Sequence, residues 1–192
     1  SRLGLGGADP ALLRRMITCA GASTCRLGIC LARGLAEAIT ARLRHSELLP
    51  GSAALRLHIS GCPNACGRHP VAHIGLHGAA RRVGGRLAPY YVVQLGGRIG
   101  AGHTALATGS LALPARNVPA FLQDFIAAFH RSPHFPDFDR FLAAGGREVA
   151  ERVAAPHQAV PDFDDDKHYY FDWGAQDLFS LAGRGPGECG AG

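Results

Sequence analysis

The sequence is poor in lysine, methionine and tryptophan, and it contains no long apolar run. Lys167 is the only lysine among the 20 Lys and Arg residues, and a single Met and a single Trp are present. No stretch approaches the roughly 20 apolar residues that a membrane-spanning helix needs. We therefore expect no membrane partner and a cytoplasmic protein.

The chain nevertheless has enough apolar material for a core. Its 192 residues are 47% hydrophobic and 18% charged, which is typical of a folded domain and excludes a wholly disordered or collagen-like chain. The first residues, Ser1 to Gly4, show neither an initiator methionine nor the charged and then apolar order of a signal peptide. We interpret the sequence as a piece of a longer chain.

The net charge is +5, and arginine supplies almost all of the positive charge. A guanidinium group pairs bidentately with carboxylate or phosphate, so an arginine-rich surface suits anionic ligands. The arginines are scattered, without a basic run and without interleaved aromatic residues. The sequence therefore predicts no nucleic-acid partner.

Cysteine carries most of the chemical information. The six cysteines are the pair Cys19 and Cys25, the pair Cys62 and Cys66, and the separate Cys30 and Cys189. A disulfide framework is typical of small secreted domains that lack a core. Structural zinc favours Cys-x2-4-Cys spacing, which only the second pair has. Four thiolates on loops of varied spacing also bind iron–sulfur clusters, and we favour this third interpretation.

Both cysteine pairs lie in predicted turns. The first pair encloses residues 20–24, which are all Ala, Gly, Ser or Thr and let the backbone approach a bulky inorganic core. In the second pair, Gly61 precedes Cys62 and Pro63 follows it, which is typical of a turn.

Hydrophobic periodicity predicts the elements around these turns. Apolar residues every four positions predict a helix from Leu31 that ends before Pro50, and a second helix covers 121–129, with Asn117 as its N-cap. A short helix is predicted over 148–153.

Alternating residues over 55–60 predict a strand with one buried face, which leads directly into the Cys62 turn. Two more strands, 71–76 and 90–95, are joined by a glycine-rich hairpin loop over 81–86. The predicted fold class is therefore α/β, of the α+β type. It is a mixed sheet with helices on one face, and both cysteine loops lie at one edge.

The order of these motifs resembles one enzyme family. Cys-x5-Cys, a helix and a strand, Cys-Pro-Asn-x-Cys and two further strands resemble the C-terminal half of the siroheme-containing sulfite and nitrite reductases, over about residues 10–145. The resemblance implies a cluster- and siroheme-binding half-domain over 1–145. Residues 146–192 are then a C-terminal extension with an aromatic-rich and glycine-rich tail.

The resemblance also implies ligands and an activity. The ligands of a [4Fe-4S] cluster would be Cys19, Cys25, Cys62 and Cys66. Cys66 would also be the axial thiolate of the siroheme iron, and so the catalytic cysteine. The implied reaction is the six-electron reduction of sulfite to sulfide or of nitrite to ammonia, with the choice between the two left open.

The expected partners follow from the same family. They are the N-terminal half of the enzyme, a small oxyanion substrate, and ferredoxin or a reductase flavoprotein as electron donor. The alternative is a stand-alone iron–sulfur electron-transfer or zinc-binding module without catalysis.

Neighbouring residues receive weaker assignments. Asn64 is predicted either to contact a sulfur or a siroheme carboxylate, or to stabilise its own turn. Arg68 and Arg26 are candidates for siroheme carboxylates, with a solvated surface as the alternative. Cys30 is predicted to be a small buried residue, and Cys189 to be a redox relay or an incidental terminal thiol. The ten histidines show no metal-binding spacing and are assigned structural or solvent-exposed roles.

Overall fold

The computed structural model describes residues 10–48 and 50–183, in which five strands form one sheet in the order β1 to β5. The strands are β1 Ile17–Thr18, β2 Leu57–Ser60, β3 Ile74–Val83, β4 Arg86–Leu95 and β5 Thr108–Pro114. The first three strands pair in parallel, whereas β3, β4 and β5 pair antiparallel. The predicted mixed sheet is confirmed.

Helices cover one face of this sheet. They are α1 Ala11–Arg14, α2 Ala32–Leu43, α3 Val118–His130, α4 Phe138–Phe141 and α5 Arg147–Ala154. Leu35 and Ile39 of α2 pack in one buried cluster with Phe121 and Phe125 of α3 and with Leu57 of the sheet. Among the described residues, none of the helices has the length and apolar character that crossing a bilayer requires.

Strand β2 is shorter than predicted and buried on both faces. Leu57 and Ile59 join the helix-side core, while His58 and Ser60, on the opposite face, are only 5% and 1% exposed. The expectation of one exposed face was wrong, because the loop that follows β2 folds back under it. We call this loop, residues 61–68, the second cysteine loop.

The hairpin between β3 and β4 is tighter than predicted. Its turn consists of Gly84 and Gly85 alone, with φ of 54° and 81°, as a two-residue turn between twisted strands requires. The arginines at 81, 82 and 86 belong to the strands, so the predicted loop over 81–86 was too long.

The chain beyond residue 145 packs on both sides of the sheet. Helix α5 confirms the helix predicted over 148–153, and its Ala150 and Ala154 are buried in the helix-side core. On the other side, Tyr170 is buried against Ala88 and Tyr90 of β4. The division at residue 145 stays a prediction, and Cys189 lies outside the described residues.

Asp172 and Trp173 fasten this C-terminal segment to the start of α2. The Asp172 carboxylate accepts the backbone N–H of Leu31 at 2.6 Å, which satisfies one of the unpaired donors of a helix N-terminus. The Trp173 indole N–H donates to the Ala115 carbonyl at 2.7 Å. The segment therefore caps the helix that follows the first cysteine loop, residues 19–30.

Gly34 of α2 lies directly against the backbone of this segment. A Cβ at Gly34 would lie 1.9 Å from the Trp173 carbonyl oxygen. In an unobstructed helix Gly→Ala stabilises by about 0.5–1 kcal/mol, but here we expect Gly34→Ala to destabilise by about 1–3 kcal/mol through overpacking. Urea denaturation measures the difference. The neighbouring Arg33→Ala, at an exposed position, should stay within about 0.5 kcal/mol, and a stabilised Gly34→Ala protein would contradict the contact.

Candidate cluster site

The first cysteine loop begins where β1 ends. The Cys19 N–H donates to the Ile59 carbonyl of β2 at 3.1 Å, so this cysteine continues the pairing of the two strands. A 3-10 turn, Gly21–Ser23, follows. The Cys25 N–H then closes the turn on the Gly21 carbonyl at 3.0 Å. The small residues between the two cysteines therefore form the compact turn that the sequence predicts.

The two cysteine loops meet at Gly61. Its N–H donates to the Cys19 sulfur at 3.1 Å, and its carbonyl accepts the N–H groups of Ile29 and Cys30 at 2.9 and 2.8 Å. A Cβ at Gly61 would lie 2.7 Å from the Gly21 Cα. Only glycine permits this approach of the two loop backbones.

The four predicted ligands share one electrostatic neighbourhood. Burial raises the pKa of the Cys62 thiol, and this is the largest effect. A hydrogen bond from the Asn64 backbone lowers the pKa, whereas the charges of Cys19, Cys25 and Cys66 raise it. These charge effects place the sulfurs of Cys19, Cys25 and Cys66 each in the neighbourhood of the Cys62 sulfur. The parallel pairing of β1 with β2 thus brings both predicted cysteine pairs to one end of the sheet.

The donor chemistry of these residues fits a cluster. All four cysteines are free thiols, and backbone N–H groups already point at two of the sulfurs, those of Cys19 and Cys62. Amide donors of this kind stabilise cluster sulfurs and thiolates. In residues 10–48 and 50–183, no group of three or more His, Cys, Asp or Glu side chains stands ready to hold a single metal ion.

The other predicted site residues lie around these four. Asn64, Arg68 and Arg26 are exposed, and so is the side chain of Cys66 itself. The Asn64 carbonyl lies 3.8 Å from the Cys66 sulfur, whereas the sequence left three roles open for the Asn64 side chain: contact with a sulfur, contact with a siroheme carboxylate, or support of its own turn. Roles for these side chains stay predictions.

Cys30 does not join the ligand group. It is completely buried, as predicted, and its thiol lies 3.4 Å from the Ala79 carbonyl and 3.5 Å from the Tyr90 carbonyl. The structure therefore separates it from its neighbour Cys25, which is partly exposed.

Three polar residues that the sequence did not connect with the cysteine site lie beneath the second cysteine loop. His58 Nδ1 is 2.9 Å from the Arg68 carbonyl, and the Ser60 hydroxyl is bonded both to the Gly67 N–H at 3.0 Å and to His69 Nδ1 at 2.8 Å. The signal was present in the sequence, because His58 and Ser60 share one face of a strand that leads directly to Cys62.

His73 is held neutral by its surroundings. Burial lowers its pKa to about 4, Arg56 adds to the effect, and Asp139 and Asp137 oppose it. The ring Nδ1 accepts the backbone N–H of Arg56 at 3.1 Å, which requires an unprotonated nitrogen. Burial likewise lowers the pKa of His69 to about 4, with His77 and His58 contributing.

Because His69 and His73 have lowered pKa values, we expect the free energy of unfolding to fall in mild acid. The unfolded rings take up a proton near pH 6.5 and the folded rings near pH 4, so their contribution is complete above pH 6.5 and is lost as the pH falls toward 4. By pH 5 we expect a loss of roughly 1–2 kcal/mol per histidine, after a discount for partial exposure. Urea denaturation at pH 7.5 and 5.0 measures it. His73→Asn should lose less between the two pH values, and an unchanged difference would contradict the assignment.

Fold and site together describe a mixed-sheet domain that presents four cysteines from two adjoining loops. No protein-family profile matches the chain. Among curated proteins it is 37% identical over 93 residues to a ferredoxin–nitrite reductase of Synechococcus elongatus, covering 48% of this chain and 18% of that protein. It is 33% identical over 97 residues to the enzyme of the same name from Leptolyngbya laminosa, covering 50% and 18%.

A longer match and a solved structure agree with these. The assimilatory ferredoxin-dependent nitrite reductase of Haloferax mediterranei is 24% identical over 170 residues, which cover 85% of this chain and 29% of that protein. The structure of the NirA protein of Mycobacterium tuberculosis shares the fold, with a TM-score of 0.60 at 20% identity over 70% of this chain and 26% of that one. The resemblance to the sulfite and nitrite reductases is therefore confirmed. The chain spans less than a third of the length of each of these relatives.

Proposed function

We propose that this chain is the cluster- and siroheme-binding portion of a reductase that converts nitrite to ammonia or sulfite to sulfide in six-electron steps. The observation that carries the proposal is the meeting of two cysteine loops at Gly61, with four free thiols in one electrostatic neighbourhood. The names of the similar proteins favour nitrite as substrate and ferredoxin as electron donor. We further propose that the enzyme is cytoplasmic.

In this proposal Cys19, Cys25, Cys62 and Cys66 hold a [4Fe-4S] cluster. When bound, the cluster and siroheme supply electron storage and the place where the substrate is reduced. The protein holds the thiolates in place and lowers the energy of their charge. Gly61 does this by donating its N–H to the Cys19 sulfur, and the Asn64 amide does so at Cys62.

Cys66 is the ligand best placed to serve a second metal. Its side chain is exposed, whereas Cys62 is buried and Cys19 and Cys25 are partly covered. An exposed sulfur is the one that a second cofactor could reach, so Cys66 would be the ligand shared with the siroheme iron. We propose that the exposed guanidinium groups of Arg68 and Arg26 bind the siroheme carboxylates. We further propose that the N-terminal half of the enzyme encloses the oxyanion substrate.

Metal and cofactor analysis of the full-length protein, purified without oxygen, tests the proposal. We expect about five iron per chain, four in the cluster and one in the siroheme, with about four acid-labile sulfide, extractable siroheme, and turnover of nitrite with reduced ferredoxin. Sulfite assayed in parallel decides between the substrates. Zinc in place of iron, or a cluster without siroheme, would instead establish the non-catalytic alternative.

A further inference from the structure

The polar face of β2 is turned toward the second cysteine loop. Successive strand residues point to opposite faces, so His58 and Ser60 lie opposite Leu57 and Ile59, which enter the helix-side core. Both polar side chains are buried, and so is His69, which is 3% exposed. Burial of three hydrogen-bonding side chains under one short loop needs a reason, because such groups are stable there only with well-placed partners.

Each of these side chains bonds to the loop or to another member of the group. The Arg68 carbonyl can only accept a hydrogen bond. His58 must therefore be the donor, with the hydrogen of its ring on Nδ1, which lies 2.9 Å from the carbonyl oxygen. Ser60 Oγ accepts the Gly67 N–H at 3.0 Å. The same oxygen lies 2.8 Å from His69 Nδ1, to which it is joined by a second hydrogen bond. Side chains of β2 therefore hold two peptide groups of the loop, the one between Cys66 and Gly67 and the one between Arg68 and His69.

The loop needs such external bonds because its backbone is unfavourable. Ala65 and Arg68 both have φ of 59°, the left-handed region that residues with a Cβ avoid. Cys66 lies between them. Residues persist in that region only where the surroundings hold them, and the hydrogen bonds from β2 reach this part of the loop.

We propose that His58, Ser60 and His69 are positioning residues that hold Ala65–Arg68 in one conformation. They thereby place the Cys66 sulfur and the Arg68 guanidinium with respect to the other cysteines. The inference deepens the proposed function, since the importance of the Cys66 position rests on its role as a ligand. Burial lowers the pKa of both His58 and His69, so neither ring brings a positive charge to the thiolates.

Ser52 offers a closely matched control. Its hydroxyl is as buried as that of Ser60, lies 2.8 Å from a histidine nitrogen, His130 Nε2, and donates to the Leu48 carbonyl at 2.7 Å. None of these contacts involves a cysteine loop. Ser52→Ala and Ser60→Ala therefore remove the same chemical groups from equally buried places.

Amide hydrogen exchange on the protein as purified, with or without metal, is the first measurement. In Ser60→Ala we expect the Gly67 amide to exchange about tenfold faster or more than in the wild type, since it loses its acceptor. Ser52→Ala should leave Gly67 and Arg68 unchanged while lowering the melting temperature to a similar extent. Equal exchange at these amides in the two variants would overturn the proposal.

The second measurement is the electron paramagnetic resonance spectrum and midpoint potential of the reduced cluster. His58→Leu should shift both, and His58→Asn, whose side-chain amide replaces the Nδ1–H donor, should restore them. A His58→Leu protein with the wild-type spectrum and potential contradicts the proposal. If His58→Leu does not fold, His58→Asn against Ser60→Ala gives the same comparison. Failure of the proposed function is distinguishable, because the wild-type protein then holds no cluster while the exchange at Gly67 still reports on the loop.

Discussion

Cys25→Ala is expected to abolish assembly of the iron–sulfur cluster, whereas Cys30→Ala should leave it intact. Cys25 is partly exposed and within electrostatic range of Cys62. Removal of a ligand leaves one iron without its thiolate, and we expect cluster iron and acid-labile sulfide to fall roughly tenfold or more. Iron and sulfide analysis, together with the visible absorption of the purified protein, measures the loss.

Cys30→Ala is the matched control, because it makes the same chemical change in the same loop. Its thiol is completely buried against the carbonyls of Ala79 and Tyr90. We expect a loss of about 1–2 kcal/mol in stability from the small cavity, with wild-type iron content. The ligand assignment is wrong if Cys30→Ala loses the cluster or Cys25→Ala keeps it.

Among substitutions that add a single methyl group to the second cysteine loop, we expect Gly67→Ala to reduce the stability of the protein most. A Cβ at Gly67 would lie 1.9 Å from the Ile59 carbonyl oxygen and 2.9 Å from Ser60 Oγ. Neither the strand backbone nor the loop can yield without breaking the Gly67 to Ser60 hydrogen bond. We expect a loss of about 3 kcal/mol or more, from overpacking and the broken bond together, and a low cluster content.

Gly100→Ala supplies the comparison for this variant. A Cβ there meets nothing within 4 Å, so the same methyl group should change stability by no more than about 0.5 kcal/mol. Thermal denaturation of both proteins measures the difference. A Gly67→Ala protein as stable as Gly100→Ala would show that the loop does not lie against β2.

The sequence allowed prediction of those parts of the fold that local pattern determines. Helix α2 follows from apolar residues at every fourth position, and the cysteine turns follow from spacing and from small residues such as Gly21. The grouping of the four cysteines came from the family resemblance, and the pairing of β1 with β2 agrees with it. The predicted role of Cys66 toward siroheme stays a proposal.

Features made by distant segments were not predictable. Two residues, Ile17 and Thr18, are too few to show the alternation of a strand, and β1 exists only because β2 offers it a partner. Asp172 caps α2 across 141 positions of sequence, which no local pattern reveals. His58 and Ser60 looked like the exposed side of an amphipathic strand, because the loop that buries them is itself irregular.

The short β1 strand would give the proposed cluster a mechanical role. Two residue pairs join this edge strand to β2, and so small an edge pairing frays readily. In our proposal Cys19 and Cys62, at the ends of the two strands, share one cluster, which then cross-links them as a disulfide would and restricts the unfolded chain. If so, loss of the cluster should release the β1 edge of the sheet first, and the proposed cluster would stabilise the fold as well as store electrons.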